Sequence, residues 1–153
     1  MSLRNLPTVA GSLLLSLGVS SARYGVDVSV ATDLSAWQCL RQQHQTSFGI
    51  ARVYRSVGQV DANSPDSLKA AHAAGIINLH AYIFPCIQTS PYSIQNGIIC
   101  DSPADQVLKS IAFLEENGVG VHYIQTEASG PPTPPISPKI RRIWLDIEGI
   151  FYT

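Results

Sequence analysis

The chain lacks an excess of basic residues, is poor in cysteine and has no apolar run long enough for a confident membrane span, and each shortage excludes a class of protein. Ten Lys and Arg stand against eleven Asp and Glu, a formal net charge of −1. There is no basic stripe to hold a nucleic acid, and no positive surface to grip an acidic polymer by charge alone. Cys39, Cys86 and Cys100 are the three cysteines, and their spacing fits no zinc or Cys-x-x-Cys pattern. His44, His72, His80 and His122 show no ligand spacing and read as surface or packed residues. No G-x-S-x-G surrounds Ser129 or any other serine, which excludes a nucleophile elbow. Gly118-Val119-Gly120 lacks a third glycine and a preceding strand, so it makes no phosphate-cradling loop. No metal and no cofactor is therefore expected. Asn63-Ser64 is followed by Pro65, which removes the one near-match to a glycosylation acceptor.

The N-terminus carries an address. Met1 to Asn5 hold one basic residue, Arg4, and Leu6 to Val19 form an apolar run centred on Leu13-Leu14-Leu15. Ser20 and Ala22 stand three and one before a cut after Ala22. This layout predicts a signal peptide over residues 1–22 and a secreted, extracellular protein. No membrane attachment is expected after cleavage. Residues 23–153 suit one domain. In an oxidising compartment one cysteine pair can close and leave an odd thiol, and the sequence does not choose the pair.

Strands and helices alternate. Tyr24 to Val30 is short and β-branched, a strand. Asp33 can cap a helix to about Gln43, with Leu34, Trp37 and Leu40 on one face. Phe48 to Tyr54 is a second strand. Ser64-Pro65 then places a capping hydroxyl before a proline at the first helical position. Leu68, Ala71 and Ala74 give that helix an apolar side, and Gly75 ends it. Ile76 to Phe84 is a third strand, and Ser102-Pro103 repeats the start signal. Val107, Ile111 and Leu114 predict the buried stripe of a third helix, which stops at Asn117-Gly118. Ile140 to Ile147 is the fourth strand. Such alternation predicts an α/β fold with parallel βαβ units. The near-continuous apolar character of strands two to four points to a sheet covered on both faces. Two stretches break the rhythm. Ile87 to Asp101 is long for a strand-to-helix loop, and the Pro-rich insert Gly130 to Pro138 lies in an equally long link.

The chemistry gathers at strand ends. In Trp144-Leu145-Asp146-Ile147-Glu148-Gly149, two acids separated by one residue point to the same face of a strand, with Cα atoms about 6.5–7 Å apart. Glycoside hydrolysis needs one protonated carboxyl for the leaving oxygen and a second to stabilise charge or activate the attacking group. Neighbouring carboxylates raise one another's proton affinity and so help keep one protonated. Asp27 interrupts an otherwise apolar first strand. In a parallel sheet the first and fourth strands can deliver residues to one rim, the carboxyl end.

These segments resemble the glycoside hydrolase family 25 lysozymes of Chalaropsis type, and among them look most like nematode secreted lysozymes. The resemblance rests on YGVDVS at Tyr24, AWQCL in the first helix, FGIARVYRS in the second strand, the helix leading to AAGI, AYIFPC in the third strand, and IWLDIEG. It implies a TIM-type (β/α) barrel that cleaves the β-1,4 bond between N-acetylmuramic acid and N-acetylglucosamine in bacterial peptidoglycan, for antibacterial defence or digestion. By the same resemblance Glu148 is the general acid, and Asp146 orients or stabilises a reacting group such as the substrate's acetamido oxygen. Asp27 is the matching acid of the first strand, and Tyr54 and Tyr82 support a sugar ring. The family's barrel holds further strands after the acid pair, whereas this sequence carries about four. It is therefore read as a partial barrel, C-terminally truncated, with little or no hydrolase activity expected of the chain alone. Unpaired sheet edges make self-association an expected property. The rival reading is a remnant that binds saccharide, or a protein partner, without cleaving.

Overall fold

The computed structural model of the protein describes residues 23–121 and 138–146. The predicted leader, nearly all of the Pro-rich insert and Glu148 lie outside the described residues. Ten elements follow one another: β1 (Tyr24–Val28), α1 (Leu34–His44), β2 (Thr46–Arg55), β3 (Gln59–Val60), α2 (Ser64–Ala73), β4 (Asn78–Ile83), α3 (Pro91–Gln95), α4 (Pro103–Glu116), β5 (Gly120–Val121) and β6 (Lys139–Leu145).

The caps show why the helices start and stop where they do. Asp33 accepts the Ala36 backbone N–H at 2.8 Å and opens α1. Ser102 does the same for α4 through the Asp105 N–H at 3.1 Å, with Pro103 at the first helical position. α2 starts differently from its expected pattern. Asn63 is its N-cap and makes no side-chain cap bond, while the Ser64 hydroxyl donates back to the Asp61 carbonyl at 2.8 Å. Gly75 terminates the helical turn after α2 with φ of 86°, where a Cβ is disfavoured. Arg41 lies across that turn and donates to the Ala74 carbonyl at 2.7 Å, so α1 and α2 are tied at their C-terminal ends.

All principal strand pairings are parallel. The sheet order is β1-β2-β4-β6-β5, with β3 turned back antiparallel on β2. The outer edges of β1 and β5 have no partner among the described residues. The expected fourth strand is β6, which pairs with β4 through Leu79–Ile140, Ala81–Ile143 and Tyr82–Trp144. The α/β class and the parallel sheet therefore stand as the strand–helix alternation implies. β3, β5 and α3 are additions. α3 folds inside the long Ile87–Asp101 excursion, which is closed at its base by a Cys86–Cys100 disulfide.

The core lies between the sheet and the helices. Trp37, Val53, Leu68, Ile76, Leu79, Leu114, Val119 and Ile140 are all fully or almost fully buried there. Truncating one such residue, Leu114→Ala for instance, typically costs about 2–5 kcal/mol. The buried face of α4 differs from the expected one: Gln106, Ser110 and Leu114 are buried, while Val107 is exposed. A polar stripe can be buried because every group has a partner. Gln106 accepts from the Cys86 N–H at 2.9 Å and donates to the Cys86 and Asp101 carbonyls at 2.9 Å each. The Ser110 hydroxyl donates to the Gln106 carbonyl at 2.7 Å. No helix among the described residues is long and apolar enough to cross a membrane.

Candidate active site

Strand alternation sorts the side chains into two faces. Val26 and Val28 of β1, Ala51 and Val53 of β2, Leu79, Ala81 and Ile83 of β4, and Ile140 and Ile143 of β6 belong to the helix-side core. The intervening residues point the other way: Asp27, Arg52, Tyr82 and, following β6, Asp146. These four come from the carboxyl ends of four parallel strands, the rim at which such sheets build their sites.

Tyr82 is the centre of this cluster. Its hydroxyl is raised above its ordinary pKa by burial; the Arg52 guanidinium opposes the shift, the Asp27 and Asp146 carboxylates add to it, and the Ser29 hydroxyl opposes it. One phenol thus senses Asp27, Ser29, Arg52 and Asp146 together. It remains protonated at neutral pH, able both to donate and to accept a hydrogen bond.

Arg52 is the fixed point of the rim. Its Nε and Nη2 reach Asp61 Oδ2 at 2.9 and 2.8 Å, and Nη2 donates to the Ser29 carbonyl at 2.8 Å. Asp61 is buried and held in place by its own backbone N–H on the Val53 carbonyl at 2.9 Å. The turn that carries β3 back along β2 therefore delivers the carboxylate that orients Arg52, and Arg52 in turn fastens the loop after β1. This clamp explains why β1 ends at Val28, two residues short of its expected end. The Ser29 carbonyl bonds Arg52 instead of a strand.

A layer of rings lies beneath. Phe48, His80 and Trp144 come from adjacent strands, with centroids 5.9 Å apart in both pairs. Phe48 needs the glycine beside it, because a Cβ built on Gly25 would fall within its ring. Trp144 is 45% exposed, and the Arg142 guanidinium lies 5.9 Å above its ring.

Tyr54 is not brought to this cluster. The pairing register slips between Arg52 and Tyr54, and the irregularity turns Tyr54 to the helix side, where it is 0% exposed. Its hydroxyl donates to Asp101 Oδ2 at 3.0 Å, and Lys109 holds the other oxygen at 2.6 Å. Burial, reinforced by the Asp101 carboxylate, pushes the Tyr54 hydroxyl up to about 12. Lys109 and then Tyr54 hold Asp101 below the usual carboxylate range. This arrangement leaves Tyr54 no surface for a sugar. Of the sequence-derived residues, Asp27, Tyr82 and Asp146 share the rim, and Glu148 lies outside the described residues. Arg52 and Ser29 were missed. A cation within the apolar run Phe48–Tyr54 was the available signal for the first, and the YGVDVS motif contained the second.

The carboxyl rim of this parallel sheet thus carries two acids, an arginine and a tyrosine, at the end where folds of this kind build their sites. A family model described as "Lysozyme-like protein 1" matches residues 19–129, and the chain belongs to this lysozyme-like family. It is similar to "Lysozyme-like protein 5" of Caenorhabditis elegans, 32% identical over 138 residues, which cover 90% of this chain and 51% of that protein. It is similar also to "Probable GH family 25 lysozyme 2" of Dictyostelium discoideum, 32% identical over 141 residues, 92% of this chain and 52% of that one. "Probable GH family 25 lysozyme 5" of the same organism is 28% identical over 117 residues, 76% and 49% of the two chains. The chain thus spans about half the length of the curated relatives it matches. No solved structure matches it. Family membership identifies the parallel sheet as part of a TIM-type barrel, in agreement with the resemblance drawn from the motifs.

Proposed function

We propose that this chain carries the carboxylate-bearing part of a secreted muramidase site. Its substrate is the glycan strand of bacterial peptidoglycan, and its chemistry is hydrolysis of the β-1,4 bond between N-acetylmuramic acid and N-acetylglucosamine. What supports the reading is the placement of Asp27, Arg52 and Asp146, together with the Tyr82 phenol, at the carboxyl ends of paired parallel strands. Glu148, two residues beyond Asp146, is the proton donor to the leaving oxygen. Asp146 holds the acetamido group or the charge that develops as the bond breaks, and Asp27 faces it across Tyr82. Tyr82 offers its hydroxyl to the sugar, and Arg52 keeps the β1 loop and its Ser29 in register. Secretion is supported by the N-terminal pattern and by the Cys86–Cys100 disulfide, a bond of oxidising compartments.

The test is binding and turnover of a purified N-acetylmuramic acid–N-acetylglucosamine oligomer by residues 23–153. Binding with reducing-end release that Glu148→Gln abolishes would establish the hydrolase and overturn the expectation of little or no activity. Binding without release would assign a saccharide-binding role to the same rim. No binding would overturn the proposal.

A further inference from the structure

His80 has one protonation state fixed by its neighbours. The Trp144 indole Nε1–H is a donor only, and it reaches His80 Nδ1 at 2.9 Å. Nδ1 is therefore the accepting nitrogen, and the ring proton sits on Nε2, facing Asn78 Oδ1 at 3.3 Å. The two ring planes differ by only 13°, and their centroids are 5.9 Å apart. With an in-plane N–H···N bond joining them, the rings lie edge to edge as one nearly flat plate, not face to face. An imidazolium carries a proton on both nitrogens, so protonation would set N–H against N–H across this bond.

The surroundings oppose that charge. His80 is 7% exposed. It is packed against Phe48 of β2, lies between Asn78 and Tyr82 on β4, and faces Trp144, Arg141 and Arg142 of β6. Its pKa is lowered by burial first, then by Arg142 and Arg141. No acidic side chain among the described residues is hydrogen-bonded to it.

The placement of Trp144 gives this bond a consequence. Its backbone is paired with Tyr82, level with the rim cluster and two residues before Asp146. Its side chain nevertheless reaches back to His80, two residues earlier along β4. We propose that His80 is a positioning residue and a proton-sensitive latch, whose neutral ring holds the Trp144 indole back from the rim that carries Tyr82 and Asp146. Protonation of His80 frees the indole to turn toward that rim, where it competes with a sugar ring. The last step rests on the glycan reading of the rim; the latch itself does not.

The experiment follows the indole N–H resonance of Trp144, told apart from that of Trp37 by Trp144→Phe. Residues 23–153 are titrated from about pH 7.5 to about 4.5, with chitotriose binding measured across the same range. In the parent chain the resonance should shift with the same midpoint as the His80 ring protons, and chitotriose affinity should fall over that interval. His80→Asn keeps an acceptor near the Nδ1 position and cannot titrate, so both readouts should stay flat. In Trp144→Phe the His80 midpoint should rise toward its ordinary value. An indole resonance that ignores His80 protonation, the same shift in His80→Asn, or an unchanged His80 midpoint in Trp144→Phe would each overturn the latch. If the indole titrates as expected but chitotriose binds at no pH, the latch stands and the glycan reading of the rim falls.

Discussion

Removing the Cys86–Cys100 disulfide is expected to destabilise the protein by about 3 kcal/mol without disturbing the rim. The two cysteines are 14 residues apart in sequence, and cross-linking a loop of about 15 residues restricts the unfolded chain by about 3 kcal/mol at 25 °C on the chain-entropy account. The native loop has other anchors, so it should keep its shape when the bond is cut. Gln106 holds the Cys86 and Asp101 backbone, and Gln88 bonds the Cys100 N–H at 2.8 Å and the Ile98 carbonyl at 3.0 Å. The loss should therefore appear as easier unfolding of an unchanged fold. For a domain of this size that corresponds to a fall in Tm of about 10–15 °C. The assay is thermal unfolding by circular dichroism of Cys86→Ala/Cys100→Ala. Cys39→Ala serves as control, and because the free Cys39 is exposed it should change stability by no more than about 0.5 kcal/mol. Alkylation of the native oxidised protein should label Cys39 alone. A double variant within about 1 kcal/mol of the parent, or labelling at Cys86 or Cys100, would refute the reasoning.

Three further outcomes are expected. Asp61→Ala should destabilise by about 2–3 kcal/mol in chemical denaturation, since it strips Arg52 of its buried charge-assisted partner. It should also weaken glycan binding by loosening Ser29. Tyr54→Phe should cost about 1 kcal/mol for the lost bond to Asp101 and leave glycan affinity unchanged, whereas a drop in affinity would place Tyr54 in the site after all. His80 gives stability a pH dependence of definite sign. Its folded pKa lies below the unfolded value of 6.5, so the stability present above about pH 6.5 declines as pH falls through 6.5 toward the folded pKa, then levels. Unfolding free energies of the parent and His80→Asn should diverge over that window; parallel curves would contradict the assignment.

Much of this architecture is legible in residue chemistry. The β-branched runs mark β1, β2, β4 and β6, because buried parallel strands favour such residues. Asp33 and Ser102 mark helix starts and Gly75 marks a stop, because caps need short acceptors and a left-handed turn favours glycine. The acids Asp27 and Asp146 stand out against apolar strands. The remainder depends on pairing, which local pattern does not encode. The slip between Arg52 and Tyr54 sends the tyrosine to the opposite face from the one simple alternation assigns. The α4 stripe misleads because Gln106 and Ser110 are buried on the strength of partners far away in sequence. Three cysteines allow three pairings, and only the return of the chain from Cys86 to Cys100 selects one. Arg52 becomes a site residue through Asp61, which lies beyond a turn.

The most direct test of the central claim is the affinity of residues 23–153 for a soluble N-acetylmuramic acid–N-acetylglucosamine oligomer, measured by calorimetry beside Tyr82→Phe and Asp146→Asn. The account predicts saturable binding by the parent chain. Affinity should fall about 2–10-fold in Tyr82→Phe, the worth of one hydrogen bond, and at least as far in Asp146→Asn. Absence of binding by the parent, or equal affinity in all three proteins, would contradict it.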